Sequence, residues 1–399
     1  MNRRQLLQTA ISLPALASGA EAAYYPPPDS GGGWRARKPD ARQLAKFEEA
    51  LECAKGSTKH GGLLVAHQGW LIYEKYFGLG SRKATPNAAS CGKAFTSVAL
   101  GILLGERPDL FPSGLDQKVF TPRYLPEEAF PLDDPAKADI KLGQLLAMTA
   151  GLAGNNPAYV RGQEVKLTRT GADGWQAMVD HTALTTPLWT KPGGGYCYAT
   201  AAPHIVSIIL RRLTGIELQS YLEEKVARPL GWGRWGFAYR RAEVTHTPGG
   251  GGIAIRATDM LRFAYLLLSR GRWAGRQIVP AWYVRQCGRR SPYNPHYSYS
   301  LQFNVNTGGD LAPGAPRGAF WKGGSGGHCF YVVPPFDLVI YKLGGRDAQF
   351  DLAQTNVPPP PEGLLPPYDG SRETWKPPRS EPDRIPMGEV LRLAAQAFR

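Results

Sequence analysis

The segment Ala89-Ser90-Cys91-Gly92-Lys93-Ala94-Phe95-Thr96-Ser97-Val98-Ala99-Leu100-Gly101 carries the most informative pattern in this chain. The run Ala84-Thr85-Pro86-Asn87 before it is typical of a turn, and residues 95–104 are apolar and helix-forming. The sequence therefore predicts Ser90 at the start of a helix. Lys93, three positions on, would share one face of that helix with Ser90.

This spacing has a chemical meaning. A serine hydroxyl is a weak nucleophile until a neighbour takes its proton. A lysine can take it when burial, nearby positive charge and the helix N-terminus lower the pKa of its amine. The pattern S-x-x-K thus predicts a lysine-assisted serine. About one chance match is expected in a chain of this length, so the pattern alone does not exclude an ordinary surface pair.

Composition limits the class of protein. The chain has 399 residues, of which 43% are hydrophobic and 20% charged, with a formal net charge of +14. These values suit one large domain or two subdomains with a sizeable core. The basic residues are scattered and form no nucleic-acid motif, so the charge is interpreted as general surface character, with an anionic cell envelope as a second interpretation.

The cysteines and histidines indicate no metal site. Five widely spaced cysteines without C-x-x-C fit neither a disulfide framework nor a zinc site, although one or two bridges stay open. The seven histidines lack spacings such as H-E-x-x-H. We therefore expect no metal and no cofactor.

The first 22 residues resemble an export signal. Arg3-Arg4 precede a short apolar run at 6–20 and the cleavage pattern Ala20-Glu21-Ala22. The run is too short to span a bilayer, and its start resembles a twin-arginine signal, with an ordinary secretory signal as the alternative. We expect a periplasmic or secreted protein without stable membrane insertion after signal removal. Residues 23–39 are rich in Pro and Gly and predict a linker.

Hydrophobic periodicity predicts alternating structure along the rest of the chain. Helices are predicted at 41–54, 139–152 (ended by Gly151), 202–213 (closed at Gly215), 218–226, 255–269 and 388–398. Strands are predicted as a pair within 62–76 around Gln68-Gly69, and at 297–305, 330–333 and 338–343. Residues 155–174 predict an irregular, substrate-facing loop, and 357–386 a Pro-rich loop. Strands near both ends suggest one sheet with a helical insertion.

Two later stretches could complete a serine site. In Pro192-Gly193-Gly194-Gly195-Tyr196-Cys197-Tyr198-Ala199-Thr200, a tyrosine could act as base and acid if cationic neighbours lower its pKa. In Phe320-Trp321-Lys322-Gly323-Gly324-Ser325-Gly326-Gly327-His328, the glycines would let backbone N–H groups approach a ligand, and Lys322 adds charge. The structural alternatives are a buried aromatic residue beside a turn for the first stretch and a glycine-rich hairpin for the second.

Taken together, these stretches resemble the serine β-lactamase and penicillin-recognising superfamily, and most of all its class C β-lactamase-related branch of esterases, D-aminopeptidases and 6-aminohexanoate-dimer hydrolases. That family has S-x-x-K, then Y-x-N, then K-T-G or H-x-G. The resemblance covers residues 40–345 in the right order. The matching stretches are Ser90-Cys91-Gly92-Lys93, Tyr198-Ala199-Thr200, Lys322-Gly323-Gly324 and, more loosely, residues 140–152, 252–278 and 326–345.

The resemblance implies an α/β (α+β) fold of the β-lactamase/transpeptidase type, with an antiparallel sheet flanked by terminal helices and an all-helical subdomain. The catalytic domain would be 40–399, with its α/β part at about 40–85 and 240–399 and its helical part at about 86–239.

The resemblance also implies the roles. Ser90 would be the acylated nucleophile. Lys93 would accept its proton or hold its charge, and Tyr198 would be the proton shuttle to the leaving group and the deacylating water. Lys322 would fix charge near the tyrosine and substrate, and the backbone N–H groups of Ser90 and Ser325 would form the oxyanion hole. Gly323, Gly324 and Thr200 fall at substrate-binding positions.

Two positions depart from the family. Thr200 stands where the family has asparagine, and Gly323 where it has threonine. Both replaced side chains would hydrogen-bond ligands in the family, and sites built around such groups discriminate strongly. These departures count against efficient penicillin recognition and favour esters, or amides with different flanking groups.

Three other interpretations of the sequence compete with a lysine-assisted serine hydrolase. Gly323-Gly324-Ser325-Gly326-Gly327 satisfies G-x-S-x-G, but a strand-like run follows it and no histidine lies beyond a downstream acid, so an α/β-hydrolase elbow is rejected. A thiol nucleophile at Cys91 or Cys197 lacks a placed histidine partner, and small packing residues are the plainer interpretation. A non-catalytic envelope-binding or sensor protein would not need Ser90, Lys93 and Tyr198 together.

The sequence thus predicts an exported serine hydrolase acting through an acyl-enzyme on a small ester, amide or short peptide, without nucleic-acid partners. A β-lactamase or a D-alanyl-D-alanine carboxypeptidase-like peptidase is the alternative.

Overall fold

The computed structural model describes residues 24–358 and 387–399. The predicted export signal lies outside the described residues, and so do residues 359–386 of the Pro-rich segment. Both therefore stay predictions.

The described residues form ten α-helices and thirteen strands. The helices are α1 (Ala41–Lys55), α2 (Gly92–Glu106), α3 (Leu142–Leu146), α4 (Asp180–Leu184), α5 (Ala201–Thr214), α6 (Leu218–Leu222), α7 (Arg228–Leu230), α8 (Ala257–Leu268), α9 (Ala281–Cys287) and α10 (Met387–Gln396). The strands are β1 (Gly61–His67), β2 (Trp70–Phe77), β3 (Asn155–Val160), β4 (Gln163–Val165), β5 (Tyr196–Tyr198), β6 (Gly236–Phe237), β7 (Ile253–Ala254), β8 (Arg272–Trp273), β9 (Arg276–Gln277), β10 (Asn304–Val305), β11 (Phe320–Gly324), β12 (His328–Val333) and β13 (Leu338–Leu343).

The main sheet draws its strands from both ends of the chain, as predicted. It has six strands in the order β10-β11-β12-β13-β1-β2, and every pairing is antiparallel. The central register sets Val65 opposite Ile340 and Tyr331 opposite Ile340 on the other side. The predicted mixture of helices with an antiparallel sheet is confirmed.

Two terminal helices cover one face of this sheet. Phe47 and Leu51 of α1 and Val390 of α10 share a buried apolar cluster with inward residues of the sheet. α1 begins at a capping box, in which the Asp40 carboxylate accepts from the Gln43 N–H at 2.7 Å. This box satisfies N–H groups that the first turn leaves unpaired.

Helix α8 covers the other face and connects the sheet to the helical part. Phe263 of α8 contacts Phe330 of β12 edge-on, with ring centroids 5.6 Å apart. On its other side Phe263 stacks on Phe95 of α2 at 3.8 Å. Because α2 is buried from Gly92 to Leu104, the helix that begins just after Ser90 is held by packing along its length.

Three predicted elements differ in the structure. The helix predicted at 139–152 is only α3, because Met148 adopts a positive φ of 61° that no α-helix continues through. The irregular loop predicted at 155–174 begins with the hairpin of β3 and β4, whose turn has positive φ at Arg161 and Gly162. The strand predicted at 297–305 is only β10, since Gln302, with a φ of 71°, interrupts it.

The remaining predicted helices and the late hairpin are confirmed. Gly215 closes α5 in the left-handed conformation, with a φ of 71°. The described residues include all five cysteines and contain no disulfide bond. Within the same residues, every helix is too short or too polar to cross a bilayer.

Gly101 lets α2 approach α9. A Cβ atom at Gly101 would lie 2.5 Å from Cδ1 of Tyr283, whose ring is fully buried. We expect Gly101→Ala to lower the free energy of unfolding by about 1–2 kcal/mol, because overpacking outweighs the better helix propensity of alanine. Urea unfolding measures this difference.

Gly56→Ala is the matched control. Gly56 has a φ of −65°, and its added Cβ would come no closer than 3.6 Å to another atom, so its stability should stay equal or rise slightly. Equal stability of wild type and Gly101→Ala would show that the α2–α9 contact is looser than the structure has it.

Candidate active site

Ser90 lies in a 3-10 turn, Ala89–Cys91, that leads directly into α2. The glycines at 249–252 hold this turn from one side. Gly252 N–H donates to the Ala89 carbonyl at 2.8 Å, and a Cβ on Gly92 would lie 2.9 Å from the Gly251 backbone. Because neither Gly92 nor Gly251 has a side chain, the two backbones meet and fix the position of Ser90.

Lys93 is buried directly beneath Ser90, with 1% of its surface exposed. Its Nζ lies 3.3 Å from the Ser90 Oγ and 3.3 Å from the Thr200 Oγ1, and it also donates to the Gly250 carbonyl. Burial lowers the pKa of Lys93 to about 7, although the charge of Asp173 opposes that shift. A large fraction of the amine is therefore neutral near pH 7 and can accept a proton.

Tyr198 ends β5, and the nearby Ser90 side chain acts to lower the pKa of its phenol. Lys93 Nζ lies 5.2 Å and Lys322 Nζ 4.8 Å from the centroid of its ring. From the sequence, a tyrosine here could act as base and acid if cationic neighbours lowered the pKa of its phenol. Burial instead raises the pKa of Tyr198 above its usual value, so Tyr198 carries its proton at neutral pH and is suited to donating it.

Lys322 lies on β11 and is also buried. Its Nζ donates to the Tyr299 hydroxyl at 2.5 Å. Burial, with the nearby Lys93, lowers the pKa of Lys322 well below its usual value. The resemblance implies that Lys322 fixes charge near Tyr198 and the substrate, and this role stays a prediction. In the structure its amine contacts the Tyr299 hydroxyl and lies over the Tyr198 ring.

Gly323 and Gly324 allow two close approaches to β11. A Cβ on Gly324 would lie 2.1 Å from the Ala88 carbonyl oxygen and 3.1 Å from the Ser90 nitrogen, so only glycine lets the strand reach the Ser90 backbone. A Cβ on Gly323 would lie 2.5 Å from the Met387 Sδ. The space beside Gly323 is therefore filled by the first residue of α10.

Ser325 begins the turn between β11 and β12. Two carbonyl groups of that turn accept hydrogen bonds from side chains that do not line the cavity. Gln349 Nε2 donates to the Ser325 carbonyl at 3.0 Å and to the Asn87 carbonyl at 2.7 Å. Thr58 donates to the Gly326 carbonyl at 2.8 Å. Gln349 thus ties the segment before Ser90 to the turn that carries the Ser325 N–H.

Thr200 is 5% exposed and points into the protein. It accepts from Lys93 and donates to the Asp173 Oδ1 at 3.2 Å. Asn155 donates to the other Asp173 oxygen at 2.8 Å. Burial raises the pKa of Asp173, but these hydrogen bonds outweigh it and lower the pKa. The sequence placed Thr200 among substrate-binding residues, whereas its hydroxyl connects Lys93 to a carboxylate.

A cavity of about 1070 Å³ opens at this cluster. Ser90, Tyr198, Lys322, Gly323, Gly324 and Ser325 all line it, whereas Thr200 and Lys93 lie behind its wall. The other lining residues are Asn155, Pro157, Tyr159, Glu164, Tyr196, Tyr297, Asn304, Leu311, Ala312, Pro313, Trp321, Gly326, Met387, Gly388, Glu389 and Arg392.

Fold and cavity together define a hydrolase fold of the β-lactamase type. The Beta-lactamase family profile matches residues 43–355. The chain belongs to this family.

Solved structures confirm the fold. A protein of Bacillus anthracis named as a 6-aminohexanoate-dimer hydrolase matches with a TM-score of 0.59 at 20% identity, covering 80% of this chain and 84% of that one. A hydrolase with promiscuous acyltransferase activity matches at 0.57 and 18% identity, covering 76% and 94%. A penicillin-binding protein homologue from Caulobacter crescentus matches at 0.56 and 17% identity, covering 78% and 93%.

A curated sequence relative matches part of the chain. An uncharacterized protein of Mycobacterium tuberculosis strain CDC 1551 / Oshkosh is 27% identical over 270 residues. The match covers 55% of this chain and 66% of the relative, slightly under two thirds of its length.

Three residues of the site were missed by the sequence argument. Asp173 lay in a segment interpreted only as a polar loop, and Gln349 and Met387 lie outside every motif. A carboxylate in that loop was a weak signal for Asp173. Gln349 and Met387 gave none, because their roles come from contacts that the order of residues does not reveal: Gln349 joins Asn87 to Ser325, and Met387 packs beside Gly323.

Gln349→Leu tests the bridge between the two backbone segments. It removes both donated hydrogen bonds, so the Ser325 N–H should move relative to Ser90. We expect acylation of Ser90 by a fluorophosphonate to slow by about tenfold to a hundredfold, the range that small misplacements in such sites produce. Fluorophosphonate labelling, quenched at successive times, measures the rate constant of acylation.

Gln354→Leu, at an exposed glutamine in the next turn whose side chain donates to Asp351, is the control and should label at the wild-type rate. If Gln349→Leu lowers the unfolding midpoint but labels normally, Gln349 serves only stability.

Proposed function

We propose that this protein is a serine hydrolase that cleaves a carboxylic ester or amide through an acyl-enzyme on Ser90, without a cofactor. The observation that carries the proposal is the buried Lys93 amine, 3.3 Å from the Ser90 hydroxyl and with its pKa lowered to about 7. An amine at a buried position needs polar partners inside the protein, and one partner of Lys93 is the Ser90 hydroxyl.

Acylation begins when the neutral Lys93 amine takes the proton of Ser90. The Ser90 Oγ then bonds to the substrate carbonyl carbon, and the carbonyl oxygen becomes an oxyanion. The backbone N–H groups of Ser90 and Ser325 stabilise that charge. When the bond to the leaving group breaks, Tyr198 donates its phenolic proton to it and regains a proton from Lys93.

Deacylation repeats the sequence with water. Lys93, through Tyr198, accepts a proton from the water as its oxygen bonds to the acyl carbon. The Ser90 Oγ then leaves and is reprotonated, which releases the carboxylic acid. In this scheme Thr200 and Asp173 touch no substrate, and they act by fixing and tuning Lys93.

The site favours esters or amides over penicillins. Met387 fills the space beside Gly323, where a family threonine would meet a β-lactam carboxylate. Export to the periplasm or beyond remains part of the proposal, supported by the sequence of residues 1–22 alone.

Ser90→Ala tests the nucleophile. The variant should lose at least about a thousandfold in hydrolysis of a short-chain nitrophenyl ester, since removal of a triad-type nucleophile abolishes the acyl-enzyme route. A cephalosporin should be hydrolysed poorly by wild type. The spectrophotometric assay compares both substrates.

Ser113→Ala, at an exposed serine remote from the cavity, is the control and should keep wild-type rates. Ester turnover that survives Ser90→Ala would remove Ser90 from the mechanism. Rapid cephalosporin turnover would place the protein among working β-lactamases instead.

Asp173→Asn tests the tuning of Lys93. Catalysis requires the neutral amine, so kcat/KM should rise with pH through about 7, the pKa to which burial lowers Lys93. Asp173 raises the pKa of Lys93 through its negative charge, so neutralising it should move this rise to lower pH. The pH profile of ester hydrolysis measures the midpoint.

Asp116→Asn is the control, because Asp116 pairs with Lys141 at the surface, and its midpoint should match the wild type. An unchanged or higher midpoint in Asp173→Asn would show that the rise of kcat/KM with pH does not reflect the titration of Lys93.

A further inference from the structure

We infer that the cavity selects substrates whose acyl group is uncharged and apolar, and that Met387 is the residue that sets this selection. The inference rests on the proposed function of Ser90 and goes beyond it by naming the substrate class.

The first observation is the contact between α10 and β11. Met387 lines the cavity, and its Sδ occupies the space that any side chain at position 323 would need. The Met387 carbonyl accepts from the Tyr331 hydroxyl at 3.0 Å, which anchors the start of α10 to the sheet. A thioether therefore lies beside the glycines next to Ser90, where it offers apolar contact and no strong hydrogen bond.

The second observation is a continuous apolar wall. Leu311, Ala312 and Pro313 line the cavity together with Met387. A Cβ on Gly388 would lie 3.2 Å from the Ala312 Cβ, so the start of α10 packs directly against this segment. An acyl chain bound here would exchange water for carbon contacts.

A third observation comes from tyrosine rings elsewhere in the lining. Tyr297 stacks on Tyr196 with ring centroids 4.6 Å apart and lies 4.8 Å from Tyr159. Packed against one another, these rings present flat apolar surface to the cavity.

The fourth observation concerns charge. The cations among the described lining residues are Lys322 and Arg392. Lys322 is buried against Tyr299, and burial holds its pKa low. Arg392 makes a two-pronged ion pair with Glu389, at 2.8 and 2.5 Å. A carboxylate on the acyl group would therefore meet no uncompensated cation in the described lining, and it would share the cavity with the carboxylate of Glu164.

The test compares three nitrophenyl esters: acetate, pentanoate and succinate. Pentanoate and succinate are similar in length, but succinate ends in a carboxylate. We expect kcat/KM to rise by about fourfold for each methylene buried between acetate and pentanoate. Succinate should be at least about a hundredfold poorer than pentanoate, because its carboxylate must lose water without gaining a partner.

Variants at position 387 test whether Met387 sets the preference for the acyl group. Met387→Ala should lower the ratio of pentanoate to acetate turnover by about tenfold, and Met387→Leu should restore most of it. Met387→Lys should raise succinate turnover relative to pentanoate by tenfold or more. Leu44→Ala, at an exposed apolar residue of α1, is the matched truncation and should leave all ratios unchanged.

Each failure has a distinct meaning. Succinate turnover equal to that of pentanoate in the wild type would overturn the inferred substrate class while leaving Ser90 as nucleophile. Ratios unchanged in Met387→Ala and Met387→Lys would overturn the role of Met387. No turnover of any ester, with no labelling of Ser90 by a fluorophosphonate, would overturn the proposed function and this inference with it.

Discussion

Burial of one amine sets the geometry around it. Lys93 is 1% exposed, and an amine so placed must find hydrogen-bond acceptors inside the protein. The Gly250 carbonyl and the Thr200 hydroxyl supply them. To bring that carbonyl so close, the backbone at 249–252 must run against the start of α2, which is possible because Gly92 lacks a side chain. The position of Ser90 follows from this packing.

Much of this arrangement was readable in the sequence because it depends on short spacings. Ser90 and Lys93 share one helix, so three residues of separation were enough to predict their contact. The strands that form the sheet are apolar and bounded by turns, and their location near both ends of the chain predicted one sheet built from both termini. In the structure, β1 and β13 pair within that sheet. The order of three motifs, taken with the family resemblance, then joined Tyr198 and Lys322 to the same site.

What the sequence could not predict depends on distance and burial. The Thr200 hydroxyl links Asp173 to Lys93, and Gln349 joins two backbone segments that are far apart in the chain. The protonation of Tyr198 was expected to follow its cationic neighbours, but desolvation dominates, and no residue pattern reports how deeply a phenol is buried. The strand predicted at 297–305 failed for a similar reason, since turns with positive φ override alternating residues.

The start of α10 completes the cavity although it lies more than sixty residues beyond β11 in the chain. The residues that would handle protons and the residue that we infer to select the acyl group therefore belong to different structural elements. Substitutions at the first turn of α10 can alter the shape of the cavity while α2, β5 and the glycine run stay as they are. This division would allow substrate preference to evolve while the residues that handle protons stay unchanged. It also gives a protein engineer one helix terminus at which to build a library of variants.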